Sequence, residues 1–522
     1  MRAILRRSMC TAPPAIFRRG DPSKHYINNQ WVTPLASPPE LLPVQNPATG
    51  TEVCSVALGT AADVDAAVAA ASAAFDSWSR SSVPERLDLL TRVTELYKSR
   101  SGDMARAISL EMGAPSSLSK SAQTAAGYGH LRAFAEVLHE FDFEEPVSSS
   151  SKRGANKRGT AELIRYEPIG VCALITPWNW PMNQVTLKVI PALVAGNTVV
   201  LKPSEVAPMS SVVFAELMEE AGFPSGVFNL VQGDGPTVGH ALAAHADVDM
   251  VSFTGSTRAG VAVSKAAAET VKRVALELGG KGPNIIFSDV GDADGDAGGD
   301  GLRTAVTRGV RQCMLNTGQS CNAPSRMLVE QGSYARAVEI AAEVGAAVTV
   351  GSPAEEGHHI GPVASAAQFE KVQVMIRAGL SEGARLLCGG LGKPDGLKAS
   401  GLEAGYFCKP TIFADVEPAM TIAREEIFGP VLSMMPFVDE ADAIRLANET
   451  AYGLTSYLQT TSQERIRRVV PKLRAGMVEV NGERRSAKAP FGGVRQSGNG
   501  REGGAWGLRE FLEVKSITGY PR

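Results

Sequence analysis

Short apolar runs recur along the middle of the chain, at 171–175, 198–201, 227–231, 249–253 and 273–278. They are rich in β-branched residues, and helix-length segments such as 208–221 and 257–268 separate them. Continuously apolar strands alternating with helices predict βαβ units and a parallel sheet covered on both faces. Such sheets bind ligands at the carboxyl ends of their strands, and the unusual residues of this chain fall there. A second alternating region runs from 326 to 480. Strands are expected near 326–329, 384–388, 431–437, 454–459 and 476–480, with helices near 334–345, 439–449 and 462–472. It predicts a second α/β domain. Upstream, Val64, Val68, Ala71, Phe75 and Trp78 recur at helical spacing over 60–80. A second helix begins at Pro84 and carries Leu87, Leu90, Val93 and Leu96 or Tyr97 on one face. The tail over 511–520 alternates loosely and predicts an edge strand. Two segments read as surface loops: the Ser/Lys/Arg stretch 148–159 and the Gly/Asp/Ala stretch 291–301.

Length changes this picture little: 522 residues at roughly 150 per domain give about three parts. Charge excludes more. With 52 basic and 55 acidic residues, the chain lacks the basic surplus of nucleic-acid binders. No apolar run reaches 18 residues, so no membrane span is expected. Seven cysteines without a Cys-x-x-Cys predict neither a disulfide framework nor a zinc site, and fit a reducing compartment. No metal is expected. The acidic residues in the Gly/Asp stretch (Asp292, Asp294, Asp296 and Asp300) lack the terminal Glu of a calcium loop. Residues 1–20 hold Arg2, Arg6, Arg7, Arg18 and Arg19 and no acid. They read either as a transit peptide to the mitochondrial matrix or as a disordered basic tail of a cytoplasmic protein.

Seven motifs follow the strands. Pro177-Trp178-Asn179-Trp180-Pro181 holds an amide between rings and prolines, suited to donate to an oxyanion, or else is a rigid aromatic turn. Lys202 and Glu205 end the next strand, where an acid suits ribose hydroxyls or simply starts a helix. Gly233-Asp234-Gly235-Pro236-Thr237-Val238-Gly239 fails as a dinucleotide glycine fingerprint. Thr254-Gly255-Ser256-Thr257 is the better phosphate candidate, because it follows a strand and opens a helix whose N–H groups are free. Glu277 lies in an apolar strand ending in two glycines, so it is either a weakened acid able to act as a base or a paired structural carboxylate. Cys321, in Asn316-Thr317-Gly318-Gln319-Ser320-Cys321-Asn322, becomes a nucleophile if its pKa is depressed. Glu425-Glu426-Ile427-Phe428-Gly429-Pro430 and the Pro490-Phe491-Gly492-Gly493 block with Gly500-Arg501-Glu502 complete the set.

In this order, from about Tyr26 to Ser516, the motifs resemble the aldehyde dehydrogenase superfamily. The resemblance implies a Rossmann-like cofactor domain over 21–144 and 165–279, and an α/β catalytic domain over 280–484. It further implies an oligomerisation β-arm from 145–164 and 485–522, and a homodimer or homotetramer. It implies NAD as cofactor, with NADP possible because some relatives use both despite a Glu at the position of Glu205. By resemblance Cys321 is the nucleophile, Asn179 the oxyanion donor and Glu277 the base that activates water. Lys202 and Glu205 would hold the adenosine ribose, and Glu426 and Phe428 the nicotinamide ribose and ring. Gly255 and Ser256 would meet the pyrophosphate, with Trp178, Gly235 and Leu278 as further cofactor contacts. The implied reaction oxidises an aldehyde to an acid through a Cys321 thiohemiacetal and thioester. CoA-acylating chemistry, an NAD-independent cysteine esterase and a non-catalytic role are the alternatives. Three features depart from typical relatives. Glu277 and Cys321 stand 44 residues apart, Trp180 follows the Asn, and polar Ser320 and Asn322 flank the Cys.

Overall fold

The computed structural model describes residues 15–147, 160–291 and 301–521. It is a mixed α/β protein built on two seven-stranded sheets. The first runs Arg273–Glu277, Met250–Thr254, Val171–Ile175, Thr198–Lys202, Phe228–Leu230, His25–Ile27 and Gln30–Val32. Its first five strands are parallel, and the three at 171–175, 198–202 and 250–254 are buried at every position. Burial on both faces explains why they read as continuous rather than alternating apolar runs. The register places Ile175 beside Lys202, and Thr254 beside Glu277. Four strands therefore deliver their motifs to one edge. The last two strands form a hairpin whose turn residues, Asn28 and Asn29, both have positive φ, the backbone a two-residue hairpin turn requires. Its three-residue strands were too short to predict from pattern.

The second sheet runs Arg385–Cys388, Thr411–Ala414, Val431–Phe437, Arg326–Glu330, Pro283–Ile286, Thr455–Gln459 and Met477–Val480. Only its Arg385–Cys388 edge strand is antiparallel. The helix Gly301–Met314 packs Leu302, Val306 and Val310 into one of its cores beside Ile286 and Val290. Both sides of the long Glu277–Cys321 separation are thus anchored in the same core. Strand Leu512–Pro521 pairs with Thr160–Pro168, which pairs with Glu144–Pro146 in a separate three-stranded sheet. The loops expected over 148–159 and 292–300 lie outside the described residues. Among the described residues no helix is long and apolar enough to cross a membrane.

Two boundaries differ from expectation. The segment from 485, expected to start an oligomerisation arm, does not join the three-stranded sheet until Leu512. The segment before Leu512 returns to the first sheet, where Leu278 N–H donates to Ser497 O (3.0 Å) and Asn499 N–H to Leu276 O (3.0 Å). Leu508 and Phe511 are buried in that sheet's core. The separate tail expected over 1–20 also ends earlier. Ile16 is buried, and Glu216 Oε1 accepts the N–H groups of Arg18 (2.7 Å), Arg19 (2.7 Å) and Gly20 (2.6 Å). The other Glu216 oxygen pairs with buried Arg100, whose Nη2 donates to Ile16 O (2.6 Å). One carboxylate thus holds both a guanidinium and the chain's entry.

Glu216→Ala should remove the buried counter-charge of Arg100 and leave it only the more exposed Asp103 (3.0 Å) and Glu220 (3.9 Å), a loss of about 1–3 kcal/mol. Trypsin should then cut after Arg18 and Arg19 faster than in the wild type; unchanged cleavage and an unchanged melting temperature would refute this role.

Candidate active site

The helix Pro181–Ala195 starts directly after the Trp-Asn-Trp turn, with Pro181 in its first turn, where a missing N–H costs nothing. This fixes Asn179, which is buried, against a loop of the second body. Asn179 Nδ2 donates to Gln319 O (3.0 Å), and its carbonyl accepts from Asn316 Nδ2 (2.9 Å) and Gln123 Nε2 (3.1 Å). Trp180 Nε1 donates to Ser320 Oγ (2.8 Å), and Tyr457 OH to Asn322 O (2.6 Å). Cys321, half-buried, lies between these attachments. The loop enters through three left-handed residues, Asn316 (φ 53°), Thr317 (φ 58°) and Gly318 (φ 72°). That backbone is strained for Thr. Glycine is required at 318, because a Cβ there would lie 2.0 Å from Gly429 O.

The Cys321 thiol meets the Asn322 N–H, and no hydrogen bond joins it to Glu277 or Asn179. Burial, and then the carboxylates of Glu426, Glu277 and Glu502, push its pKa up. This environment does not depress the thiol: burial first, and then three carboxylates, act in the opposite direction. Glu277 is also buried, and neither of its carboxyl oxygens has a hydrogen-bond partner. Burial, reinforced by Glu502, raises its pKa well above the usual range, against the opposing pull of Lys188 and Arg501. Three glycines make room for it: a Cβ on Gly492 would lie 2.6 Å from Glu277 Oε1, one on Gly500 3.2 Å, and Gly498 bridges its backbone. The weakened-acid expectation for Glu277 matches this environment, and the paired-carboxylate alternative does not.

One residue beside Glu277, Lys188, was not singled out from the sequence, and Glu502 was named there only as part of a motif. Lys188 Nζ donates to Glu502 Oε1 (2.5 Å) and to Ser252 Oγ (3.1 Å), and both members of the pair are buried. The available signal was a lone lysine in the otherwise apolar run Val185 to Ala195. Gln123, also missed, sits in the π-helical turn Ser119–Thr124, a local widening often found at functional sites.

The residues expected to hold a cofactor fall into two groups. At the edge of the first sheet, Lys202 Nζ donates to Pro203 O (2.7 Å) and Gly233 O (2.6 Å) and pairs with Glu205 (3.5 Å). Burial lowers the Lys202 pKa, and Glu205 opposes the shift. Ser256 caps the helix Thr257–Ala267 by accepting from Ala259 N–H (3.3 Å). The buried Thr254 hydroxyl has no partner, and Gly235 opens on empty space. Leu278 is buried against this helix: a Cβ on Gly260 would lie 2.7 Å from its side chain. Beside the Cys321 loop, Glu426 Oε1 accepts from Gly280 N–H (2.9 Å), and a Cβ on Gly279 would lie 2.3 Å from Glu426 Oε2. Phe428, at φ 58°, meets Trp178 edge-on at 5.4 Å. This surface of free helix N–H groups, an orphaned hydroxyl and glycine-lined approaches fits an extended, anionic ligand with a flat ring at one end.

The aldehyde dehydrogenase family model matches residues 31–517. The chain belongs to that family. It is therefore an NAD-dependent oxidoreductase acting on aldehydes. A relative from a Pseudomonas species, 3-succinoylsemialdehyde-pyridine dehydrogenase, is 52% identical over 96% of this chain and 99% of its own. A solved aldehyde dehydrogenase from Bartonella henselae matches with TM-score 0.89 at 50% identity, over 95% of this chain and 99% of that one. Aldehyde dehydrogenase C from Pseudomonas syringae, solved as a mutant with NAD+ and octanal, matches with TM-score 0.89 at 46% identity, over 97% of this chain and 99% of that one.

Proposed function

We propose that Cys321 attacks the aldehyde, that Asn179 holds the oxyanion, and that Glu277 moves the protons. The observation that carries this reading is the bond from Asn179 Nδ2 to Gln319 O, two residues before the cysteine. An amide has two N–H donors; one is fixed to the loop, which leaves the other for a carbonyl oxygen at Cys321. The thiol is held protonated, so a base must accept its proton. Glu277 is buried, unpartnered and raised, a carboxylate suited to take a proton near neutrality. Attack forms the C–S bond and moves the carbonyl electrons to oxygen, giving a thiohemiacetal. Lys202, Glu205, Gly255, Ser256, Glu426 and Phe428 would hold NAD, which when bound would supply the acceptor for the hydride that leaves carbon and so leave a thioester on Cys321. The thiol's proton passes from Glu277 to solvent; Glu277 then takes a proton from water, whose oxygen attacks the thioester carbon, and returns that proton to the departing Cys321 sulfur, freeing the acid and the thiol. The Lys188–Glu502 pair tunes that carboxylate from behind.

For the substrate, the reading is an aldehyde with a remote hydrogen-bond acceptor. The Pseudomonas relative's name describes such a molecule. Arg485 stands over the Phe491 ring at 5.1 Å, gives one hydrogen bond to Ala489 O (2.7 Å), and forms no ion pair among the described residues. Burial lowers its pKa, opposed first by Glu479 and then by Glu502 and Tyr457, and Tyr457 is bonded to the Cys321 loop. The exposed strand Leu512–Pro521 is proposed to pair with a second copy in a dimer, which sedimentation of a chain cut after Phe511 would test. Bacterial relatives favour the cytoplasm over the mitochondrial matrix; fractionation of the source cells would test that.

Cys321→Ser should abolish NADH formation, and Asn179→Ala should lower turnover roughly 10²–10³-fold. Glu277→Gln should stall turnover, and an unchanged steady-state rate would sink its role. Removing the cation in Lys188→Met should raise the Glu277 pKa further and move the acid limb of the kcat/KM profile to higher pH. Glu502→Gln removes an anion and should move that limb to lower pH; shifts of the opposite sign would refute the coupling. Arg485→Leu should cut kcat/KM for a pyridyl keto-aldehyde about ten- to a hundredfold while sparing octanal, and an equal loss on both would count against the substrate reading.

A further inference from the structure

Gln123 lies in neither large sheet. It is fully buried in the π-helical turn Ser119–Thr124, 56 residues before Asn179 and 193 before Asn316. Its amide nitrogen donates to Asn179 O (3.1 Å) and to Asn316 Oδ1 (3.2 Å), with Met112 Sδ beside it at 3.4 Å. An amide nitrogen carries two N–H groups, so one is available for each oxygen. Among the described residues Gln123 Oε1 has no hydrogen-bond partner. Turning the amide over would be worse, because that oxygen would then face two acceptors.

These bonds close a ring. Asn316 gives its side-chain oxygen to Gln123, which leaves its nitrogen to donate to Asn179 O (2.9 Å) and Gln319 O (3.3 Å). Gln319 O also accepts from Asn179 Nδ2 (3.0 Å). Gln123 thus fixes which way the Asn316 amide faces, and shares the Asn179 carbonyl with it. Asn316 has a left-handed backbone (φ 53°), which a residue other than glycine keeps only where its surroundings impose it. Without the Gln123 nitrogen, Asn316 Oδ1 and Asn179 O each lose a donor, and the Asn316 amide is free to turn.

We propose, on the reading of Asn179 as the oxyanion donor given above, that Gln123 is a positioning residue for that donor. It acts through Asn179 and the 316–319 turn, and holds the second Asn179 N–H on the carbonyl oxygen while charge develops there. A donor left to swing has to reorganise during the reaction, which forfeits part of its stabilising effect. The loss therefore falls on turnover rather than on binding.

Gln123→Met keeps the length of the side chain and suits the contact with Met112, but it has no donor. It should lower kcat about ten- to a hundredfold, and change KM for NAD and for octanal by less than about threefold. A side chain that only packs would instead move the melting temperature and both KM values without singling out kcat, and that pattern would overturn the proposal. The deciding measurement is a double-mutant cycle with Asn179→Ala. Because Gln123 acts through Asn179, adding Gln123→Met to Asn179→Ala should cost less than about twofold more. Losses that multiply would overturn the proposal, as would a Gln123→Met enzyme with the kcat of the wild type. A loss under about tenfold for Asn179→Ala alone would sink the oxyanion reading itself, and the positioning role with it. Should Gln123→Met fail to fold, Gln123→Asn, one methylene too short to reach both acceptors, takes its place in the cycle with the same expected outcome.

Discussion

Asn179 carries a bond from its side chain to the Gln319 carbonyl and another from Asn316 to its own backbone. These cross between two bodies that have separate sheets and separate cores. On one side, Asn179 is fixed by the strand Val171–Ile175 before it and the helix Pro181–Ala195 after it. On the other, Gln319 is fixed by a left-handed entry and by its amide bonds to Asn316 O and Ala364 N–H. The placement of Asn179 beside the Cys321 loop is then set by two rigid elements rather than by loop motion. Preorganisation of this kind lets a neutral amide stabilise charge without reorganising during reaction.

The second theme is an excess of negative charge around a sulfur. Burial first, and then Glu426, Glu277 and Glu502, raise the Cys321 thiol, and buried Lys188 pairs with Glu502. A thiol so placed is protected from idle ionisation. Burial, and then Glu502, weaken Glu277 as an acid in the same way. On the roles proposed above, the surroundings that quiet the thiol would also equip the carboxylate to act as its base.

Much of this was legible in the residues. The parallel strands announced themselves because burial on both faces removes the alternation of polar and apolar positions. The motif residues stood out because glycine pairs, a caged asparagine and a charged residue at a strand end are costly without purpose. What escaped was long-range. Lys188 and Glu502 are 314 residues apart, and only folding shows that each answers the other. The return of 491–511 to the first sheet escaped for the same reason, since its glycines are chosen by the Glu277 carboxylate they must approach. The state of the Cys321 thiol could not be read locally either, because the loop's polar neighbours say nothing of three carboxylates brought from elsewhere.

That return segment has a temporal meaning. Glu502 lies 20 residues from the end of a 522-residue chain, and Ser497, Asn499 and Gly500 bond the strand that carries Glu277. Synthesis delivers Asn179, Glu277 and Cys321 well before the segment that packs against Glu277. A chain halted before 491 would lack the glycines that carboxylate approaches and the Glu502 that pairs with Lys188.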